Sequence, residues 1–366
     1  MSSQIGNILK VSLFGESHGT AIGAVIDGFP PGVGIDMGKL LAFMARRAPG
    51  RDRTATPRRE SDLPRILSGV LDGVTCGTPI AAVIENADQH SGDYKKMAAA
   101  ARPGHADYTG YLRYRGNNDV RGGGHFSARL TAPLTFAGGL CLQYLEKRGI
   151  YIGAHLLSVR DAEDAAFPET DLTAEQVAAP GKKSFPVLDD SAEERMRGVI
   201  EEARRNEDSV GGIVEVAVTG MPAGIGSPIF DTVEGRLSFG YFGIPAVKGV
   251  EFGAGFRASE LRGSENNDAF YIDEDGSVKT RTNHHGGILG GISSGMPVIA
   301  RLAFKPTPSI GKEQDTVDFI RGEETKLRIT GRHDPCVAVR AVPVVEAMTA
   351  VVLTDMLLEQ EGYKVE

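Results

Sequence analysis

Residues 211–222 read GGIVEVAVTGMP. This short apolar run opens on two glycines and closes on Gly-Met-Pro, a pattern that predicts a buried strand. The preceding segment, 192–206, has apolar residues at helical spacing, with Glu193 and Glu194 in its first turn and Ser191 as its predicted N-cap. A helix followed directly by a buried strand is typical of a protein in which helices and strands alternate.

The same two patterns recur along the chain. Further apolar runs predict strands at 8–15, 21–29, 79–85, 247–253 and 297–306. Further helical patterns lie at 37–47, 127–148, 229–240 and 342–361. The sequence therefore predicts a mixed α/β protein. No Pro/Ser-rich linker, low-complexity tract or short repeat interrupts the 366 residues, so we expect one large domain, 1–366.

Composition excludes several classes of protein. Hydrophobic residues make up 41% and charged residues 24%, which is typical of a globular protein with a sizeable core. The net charge of -8 argues against a nucleic-acid-binding protein. We expect a cytoplasmic protein without a membrane span, because no run of about 20 apolar residues and no basic-then-apolar leader is present. The three cysteines are widely separated, which favours reduced thiols over a disulfide framework or a zinc site.

One segment differs in charge from the rest of the chain. Residues 46–65 read RRAPGRDRTATPRRESDLPR, with seven arginines against three acidic residues, so the segment carries 7 − 3 = +4. A small polyanionic ligand is the expected partner. Like charges, Pro49, Gly50 and Pro57, and few large apolar residues predict a loop that is mobile until such a ligand binds.

Two short segments combine histidine with turn residues. In Gly15-Glu16-Ser17-His18-Gly19, the glycines are expected to expose a hydroxyl and a group that exchanges protons near neutral pH. A solvent-facing polar turn explains this segment equally well, and it lacks the glycine spacing of a nucleophile elbow.

The second segment, RPGHADY at 102–108, places Arg102, His105 and Asp107 in one turn. A cation and a proton donor together suit a departing phosphate, whose oxygens gain charge as it leaves. The alternative is that His105 only pairs with Asp107 on a surface loop.

Two glycine-rich segments predict binding surfaces. RGGGHFSAR at 121–129 leads into a predicted helix that Ser127 can cap, so its free amides and Arg129 predict an anion site, without a Walker lysine or Rossmann spacing. NHHGGILGGISSG at 283–295 has few bulky side chains, and a flat ring can lie against such a backbone. Its adjacent histidines lack the helical spacing of a zinc motif, so we expect no metal there.

The last polar segment, GRHDPC at 331–336, precedes the apolar C-terminal helix. Arg332 and Asp334 are candidates for an anion clamp and an acid/base partner. A buried structural ion pair is the alternative.

Taken together and in order, these segments resemble the chorismate synthase family from end to end. The strings that carry the resemblance are FGESHG, the arginine-rich segment, RPGHADYT, RGGG with SAR, HGGILGGISSG, KPT, and GRHDPC followed by AVPVVEAM. The resemblance implies a β-α-β-α sandwich subunit, a homotetramer, and reduced FMN bound beside 5-enolpyruvylshikimate 3-phosphate. The implied reaction is an anti-1,4-elimination of phosphate that gives chorismate, the last step of the shikimate pathway. It involves no net redox change, so the implied enzyme is a carbon–oxygen lyase.

The resemblance also implies roles for individual residues. The implied catalytic residues are His18, His105, Asp334, Ser17 and Ser127. The implied substrate-binding residues are Arg47, Arg53, Arg102, Arg129 and Arg332. The implied FMN-binding residues are His125, Phe126, Ser127, Pro245, Ala246, Gly290, Lys305, Pro306, Thr307, Pro308, Ser309 and Arg332. His125-Phe126 and Pro245 depart from the Arg-Ser or Ala-Ser pair and the Asn that are common in the family.

Two other functions compete with this interpretation. A flavin oxidoreductase that passes hydride to a soluble acceptor can use the same glycine-rich pocket. A phosphate- or RNA-binding protein can use the arginine-rich segment, although the net charge and the lack of an aromatic stacking platform disfavour it. The sequence also leaves open whether NADPH or an external reductase reduces the flavin, since it contains no Rossmann fingerprint.

Overall fold

The computed structural model describes residues 3–50, 62–86, 99–329 and 334–362. The helices are α1 Met37–Arg47, α2 Asp107–Tyr114, α3 Thr131–Glu146, α4 Ala174–Ala178, α5 Asp190–Arg205, α6 Val233–Phe242, α7 Gly263–Asn266 and α8 Ala338–Gly362. The strands are β1 Gln4–Ile5, β2 Lys10–Gly15, β3 Ala21–Asp27, β4 Arg65–Ser68, β5 Val70–Leu71, β6 Val74–Thr75, β7 Ile80–Glu85, β8 Tyr151–Val159, β9 Ala162–Glu163, β10 Gly212–Thr219, β11 Val247–Phe252, β12 Phe270–Ile272, β13 Val278–Thr280, β14 Ile288–Leu289, β15 Ile292–Ser293, β16 Val298–Phe304, β17 Gln314–Asp318 and β18 Glu323–Leu327.

Two antiparallel sheets of five strands form the frame. The first has the order β1-β2-β3-β7-β4, and its register pairs Leu13 with Ala24 and Ala24 with Ala82. The second has the order β11-β16-β10-β8-β9, and Val214 at its centre pairs with Leu156 on one side and with Leu302 on the other. The apolar run that predicted a buried strand is therefore the central strand of the second sheet.

The helices α3 and α8 fill the space between the sheets. They pack on each other, α3 lies against β2 and β3, and α8 lies against β8 and β10. Both are apolar on nearly all sides, as expected for helices that are covered all round. On the other face of the second sheet lies α4, so close that a Cβ on Gly153 would be 2.0 Å from the carbonyl oxygen of Val177. This β-α-β-α order confirms the predicted fold class.

The C-terminal helix α8 is long and apolar enough to cross a membrane by composition, with a mean hydropathy of 1.8 in its most apolar window. In this fold 94% of that window is buried inside the protein, so α8 is a core helix. Its Asp355 carboxylate accepts hydrogen bonds from the backbone amides of Asn7, Ile8 and Leu9, at 2.8, 2.7 and 2.8 Å. The two ends of the chain are thereby joined in the core.

Most of the predicted elements are present, and the differences occur at helix ends. The helix α6 begins at Val233 rather than near 229, because the Thr232 hydroxyl accepts a hydrogen bond from the Gly235 amide at 2.8 Å and caps it there. The N-cap predicted at Ser191 is wrong. Asp189 caps α5, with its carboxylate accepting the Ser191 amide at 2.9 Å.

The arginine-rich segment is only partly described. Residues 51–61, including Arg53, lie outside the described residues, and so does most of the loop predicted to be mobile. Its described ends belong to regular elements: Arg47 ends α1 and Arg65 begins β4.

One cluster of buried apolar residues runs through both sheets and the helices between them, which is consistent with a single domain over 1–366.

Candidate active site

A cavity of about 1240 Å³ opens beside the first sheet, with walls from segments that are far apart in the sequence. The walls come from some of the residues in each of the segments 3–13, 102–106, 122–134, 239–248, 305–309 and 334–348, and also include Arg47, Pro49 and Ile329. Pockets for one small molecule usually measure about 300–1,000 Å³, so this cavity has room for two ligands side by side.

The three consecutive glycines pass between the two histidines of interest. Gly122, Gly123 and Gly124 have φ of +59°, +85° and +53°, which lie in the left-handed region that side chains disfavour. A Cβ on Gly122 would lie 2.1 Å from the His18 ring, and a Cβ on Gly123 would lie 3.2 Å from His105 Nε2. Only glycine lets the backbone approach both rings, which gives the cluster noted in the sequence a physical cause.

His105 forms a compact charged group with two neighbours. Its Nδ1 lies 2.7 Å from Asp107 Oδ1 and 3.0 Å from Arg102 Nη2. Arg102 also donates to the same carboxylate from Nε and Nη2, each at 2.7 Å. Burial raises the pKa of Asp107, but hydrogen bonds from Arg102 and His105 outweigh it and hold that pKa well below its usual range.

The ionised Asp107 determines the tautomer of His105. A carboxylate only accepts hydrogen bonds, so the shorter contact assigns the Nδ1 proton to the bond with Asp107, and Nε2 is left to face the glycine backbone and the cavity. The His105 and Asp107 side chains are only 16% and 13% exposed, so the pair does not lie on a surface loop. Instead, His105 forms part of the cavity wall.

Two buried arginines share one carboxylate. The Nη1 groups of Arg47 and Arg129 contact the two different oxygens of Asp62. Arg47 also donates from Nε to Thr131 Oγ1 at 3.0 Å, and Arg129 from Nε to Asn86 Oδ1 at 3.1 Å. Both arginines line the cavity, whereas Asp62 does not.

A second ion pair lies at the start of α8. Arg340 donates from Nη1 to Asp334 Oδ2 at 2.5 Å and from Nε to the carbonyl oxygen of Arg47 at 3.0 Å. The carbonyl oxygen of Asp334 accepts the Thr307 hydroxyl at 2.8 Å. Asp334 therefore forms an ion pair with Arg340, a residue that the sequence analysis did not consider, and it also lines the cavity.

Several residues implied for FMN binding form one side of the cavity. His125 is held by Nδ1 to the Gly15 carbonyl oxygen at 2.9 Å and by Nε2 to Ser3 Oγ at 2.8 Å. Ala246 has φ of +76°, and its carbonyl oxygen accepts the Lys305 amide at 2.9 Å. Burial, with a smaller effect from neighbouring Lys248, lowers the pKa of the Lys305 amine.

The structure brings most of the implied site residues to this cavity. Those in its wall are Arg47, Arg102, His105, His125, Phe126, Ser127, Arg129, Pro245, Ala246, Lys305, Thr307, Pro308, Ser309 and Asp334. Four others are not in the wall: Ser17, His18, Gly290 and Pro306. Ser17 and His18 are buried on the far side of Gly122, and Gly290 lies in the turn between β14 and β15. Arg53 and Arg332 lie outside the described residues.

Three charged residues at or behind the cavity wall were not predicted from the sequence as part of the site. Asp62 entered the sequence analysis only through the net charge of residues 46–65, and Lys248 only as part of the strand predicted at 247–253. Arg340 was not considered. A signal existed for Arg340, because it is a lone cation in the first turns of an otherwise apolar helix. No local pattern indicates that Asp62 joins α1 to the glycine segment.

Comparison with known proteins identifies the family. The family model for chorismate synthase matches residues 9–358. The chain belongs to the chorismate synthase family. It is 46% identical over 359 residues to chorismate synthase from Thermococcus kodakarensis, covering 98% of each chain, and 48% identical over 353 residues to that from Pyrococcus abyssi, covering 96% of this chain and 97% of the relative. A crystal structure of chorismate synthase superposes with a TM-score of 0.77 at 27% identity, covering 98% of this chain and 94% of the other.

Membership of the chorismate synthase family establishes the reaction. The chain is a carbon–oxygen lyase that eliminates phosphate from 5-enolpyruvylshikimate 3-phosphate and forms chorismate, the final step of the shikimate pathway. This confirms the activity that the sequence motifs implied and excludes the two competing functions.

Proposed function

We propose that the 1240 Å³ cavity binds the substrate and reduced FMN together, and that its wall residues carry the roles implied by the family resemblance. The observation that carries this proposal is the convergence of Arg47, Arg102 and Arg129 with the oriented His105 on one cavity. The substrate carries two carboxylates and a phosphate, and arginine is the side chain best suited to both groups.

His105 is the proposed proton donor to the departing phosphate. Its Nδ1–H is held by Asp107, so an added proton resides on Nε2, on the side of the glycine backbone and the cavity. The guanidinium of Arg102 lies beside the His105 ring, with Nη2 3.0 Å from Nδ1. Its positive charge stabilises the negative charge that develops on the phosphate oxygens. The arrangement therefore supports loss of phosphate at this end of the cavity.

Reduced FMN is the proposed cofactor, and the cavity fits it in two respects. The Phe126 ring and the apolar residues Leu134 and Ile244 offer a wall for a flat ring system, while Lys305 and Ser309 offer polar groups for a phosphate. The chemistry that reduced FMN would supply when bound is a transient electron, with no net redox change. Phe126, Ala246 and Lys305 would hold it, and Pro306 and Gly290, which are not in the wall, remain proposed members of the site.

His18 is proposed to hold a proton on the flavin side. It is 3% exposed and lies against Gly122, whose backbone separates it from the cavity. The neighbouring Ser17 hydroxyl is also buried and has no hydrogen-bond partner among the described residues. Ser127 and Asp334 line the cavity and are proposed to assist deprotonation on the same side.

The test is an anaerobic assay of the purified protein with the enolpyruvyl substrate and chemically reduced FMN. We expect phosphate and chorismate in equal amounts, with flavin needed only in catalytic quantity. Equal turnover with oxidised FMN, or one flavin oxidised per product, would contradict the proposed role of the flavin. Replacing the chemical reductant by NADPH tests whether the chain reduces its own flavin.

Two further properties are proposed from the family resemblance. We propose that the protein is a homotetramer. Light scattering of the purified protein tests this, and a monomer at micromolar concentration would contradict it. We propose a cytoplasmic location, which the burial of α8 in the core supports.

A further inference from the structure

Asp62 is the most enclosed charged group near the active site. Its side chain is 1% exposed, and those of Arg47 and Arg129 are 4% and 3% exposed. The three side chains carry 2 − 1 = +1, and they come from two segments of the sequence, 46–65 and 121–129. A buried ion group of this kind either contributes only to stability or determines the geometry of a functional site.

The position of Asp62 distinguishes these two possibilities. Arg47 and Arg129 line the cavity, and Asp62 is behind them. Each arginine donates from Nη1 to Asp62 and from Nε to a neutral side chain, Thr131 for Arg47 and Asn86 for Arg129. Longer contacts join Arg47 Nη2 to the Ala128 carbonyl oxygen at 3.4 Å and Arg129 Nη2 to the Glu85 carbonyl oxygen at 3.5 Å. A guanidinium that is fixed at Nε and at one Nη has lost its freedom to rotate before a ligand arrives.

Electrostatics gives Asp62 a second effect. Burial lowers the pKa of Arg47 to about 10, and the neighbouring Arg340 and Arg129 also lower it, whereas Asp62 raises it. Without the carboxylate, two like charges would be buried side by side, and each side chain would turn away from the other toward water. Asp62 therefore allows both guanidiniums to stay together beside the cavity.

We propose that Asp62 is a positioning residue, which orients Arg47 and Arg129 from behind as one preformed anion-binding pair facing the cavity. The proposal rests on the proposed role of these arginines in substrate binding. It assigns to Asp62 no contact with the substrate and no proton transfer. The pair contributes to binding of the anion and not to the elimination step, so its loss is expected mainly in KM.

The test compares Asp62→Asn with Glu346→Gln. Glu346 is a buried carboxylate bonded to both Nη groups of Arg46, at 2.6 and 2.7 Å, and neither residue lines the cavity. Both variants lose the charge of a buried carboxylate and are expected to lower Tm. We expect only Asp62→Asn to raise KM for the substrate, by about 10-fold or more, with kcat changed less than about 3-fold.

A double-mutant cycle with Arg47→Gln connects the two residues. If Asp62 acts through the arginines, Asp62→Asn raises KM much less in the Arg47→Gln background than in the wild type. Inorganic phosphate, used as a competing anion, should lose affinity in parallel with the substrate. An unchanged KM in Asp62→Asn, or effects that multiply in the double variant, overturns the proposal. A lower KM also overturns it, since Asp62 would then compete with the substrate.

Thr131→Val keeps the test possible if Asp62→Asn does not fold. It removes the Nε acceptor of Arg47 without changing a charge, and we expect KM to rise about 2- to 5-fold at unchanged kcat. An unchanged KM in this variant overturns the proposal. If Arg47→Gln and Arg129→Gln themselves leave KM unchanged, the substrate-binding role of the arginines is wrong, and this outcome is distinct from failure of the Asp62 variants alone.

Discussion

The imidazole of His105 and the carboxylate of Asp107 are joined at 2.7 Å, and Arg102 donates two side-chain hydrogen bonds to the same carboxylate. The carboxylate thus fixes which ring nitrogen faces the cavity. This relationship is the basis of the first prediction, because it distinguishes His105, the proposed proton donor, from Asp107, which orients its ring.

We predict that His105→Ala slows turnover by about 10²–10⁴-fold, the usual contribution of a positioned acid or base. Asp107→Asn should also lower kcat, because an amide can donate to Nδ1 and so stabilises the wrong tautomer. The matched control is Asp208→Asn, which loses only an ion pair with Lys312 away from the cavity. Steady-state kinetics with equal kcat in Asp107→Asn and Asp208→Asn would remove the orienting role of Asp107.

The contact between Gly122 and His18 gives a second prediction. Gly122→Ala places a Cβ 2.1 Å from the His18 ring at φ of +59°, so the ring or the glycine segment must shift. We expect at least about 100-fold lower kcat, since both histidines adjoin this segment. Gly149→Ala is the control, because Gly149 has φ of +74° with nothing within 4 Å of its Cβ.

The control variant should carry only the backbone cost of a left-handed alanine, about 1–2 kcal/mol. Thermal unfolding and kcat are measured for both variants. A loss of activity in Gly149→Ala as large as that in Gly122→Ala would show that backbone strain, and not the contact with His18, causes the effect.

The third prediction concerns pH and a group far from the cavity. His155 is fully buried, with Nδ1 3.0 Å from Asp164 and Nε2 3.0 Å from Glu215, while Arg301 holds the other oxygen of Glu215 at 2.9 Å. Burial lowers the pKa of His155, but the hydrogen bonds to the two carboxylates outweigh it and the pKa is raised above 6.5. Because a carboxylate faces each ring nitrogen, the surroundings favour the charged ring, which can donate from both nitrogens.

Because its pKa is higher in the folded than in the unfolded protein, His155 contributes to the stability of the fold. This contribution is fully present below the unfolded pKa of 6.5 and is lost as the pH rises through the folded pKa. We predict that Tm falls as pH rises above about 6.5 in the wild type and that His155→Gln removes this decline. His284→Gln is the control and should retain it, because His284 is partly exposed, its Nδ1 lies 3.1 Å from a backbone carbonyl oxygen and the Asp268 carboxylate is 3.5 Å away. Equal pH slopes in wild type and His155→Gln would refute the assignment.

The fourth prediction tests the proposed flavin side by direct binding. Lys305→Ala removes a partly buried amine from the cavity wall, and we expect the Kd of FMN to rise about 10- to 100-fold, as for loss of a hydrogen bond to a charged group of about 1.5–3 kcal/mol. Lys312→Ala, which breaks a surface ion pair outside the cavity, is the control. Flavin fluorescence titration gives both values, and an unchanged Kd in Lys305→Ala would exclude a role for its amine.

Sequence patterns predicted a helix or strand correctly where neighbouring residues in the chain determine it. The strand β10 and the helix α1 follow from apolar spacing and nearby caps, and α1 has the predicted bounds. The start of α6 was placed early because its cap, Thr232, was not recognised. The nine-residue strand β8 was missed, although it lies beside β10 in the same sheet.

Most of the implied residues lie in the cavity wall, but their arrangement could not be predicted from the sequence. The motifs identified His18 and His105, but their opposite placement around the glycine segment depends on the fold. Asp62 contacts an arginine 67 residues away, and no periodicity reports such a contact. For the same reason, nothing in the sequence indicated that Ser17 and His18 are separated from the cavity by Gly122.

The hydrogen bonds from Asn7, Ile8 and Leu9 to Asp355 have a consequence for biosynthesis. The partner of the Leu9 amide, Asp355, is synthesised 346 residues later. At a ribosomal rate of about 5–20 residues per second, this delay is about 17–69 s. The cavity wall contains Ser3 from the start of the chain and Arg340 and Met348 from α8, so a nascent chain without α8 has an incomplete wall. Enzyme activity therefore appears only after translation has passed the last helix, and a ribosome that stalls before Asp355 yields an inactive product.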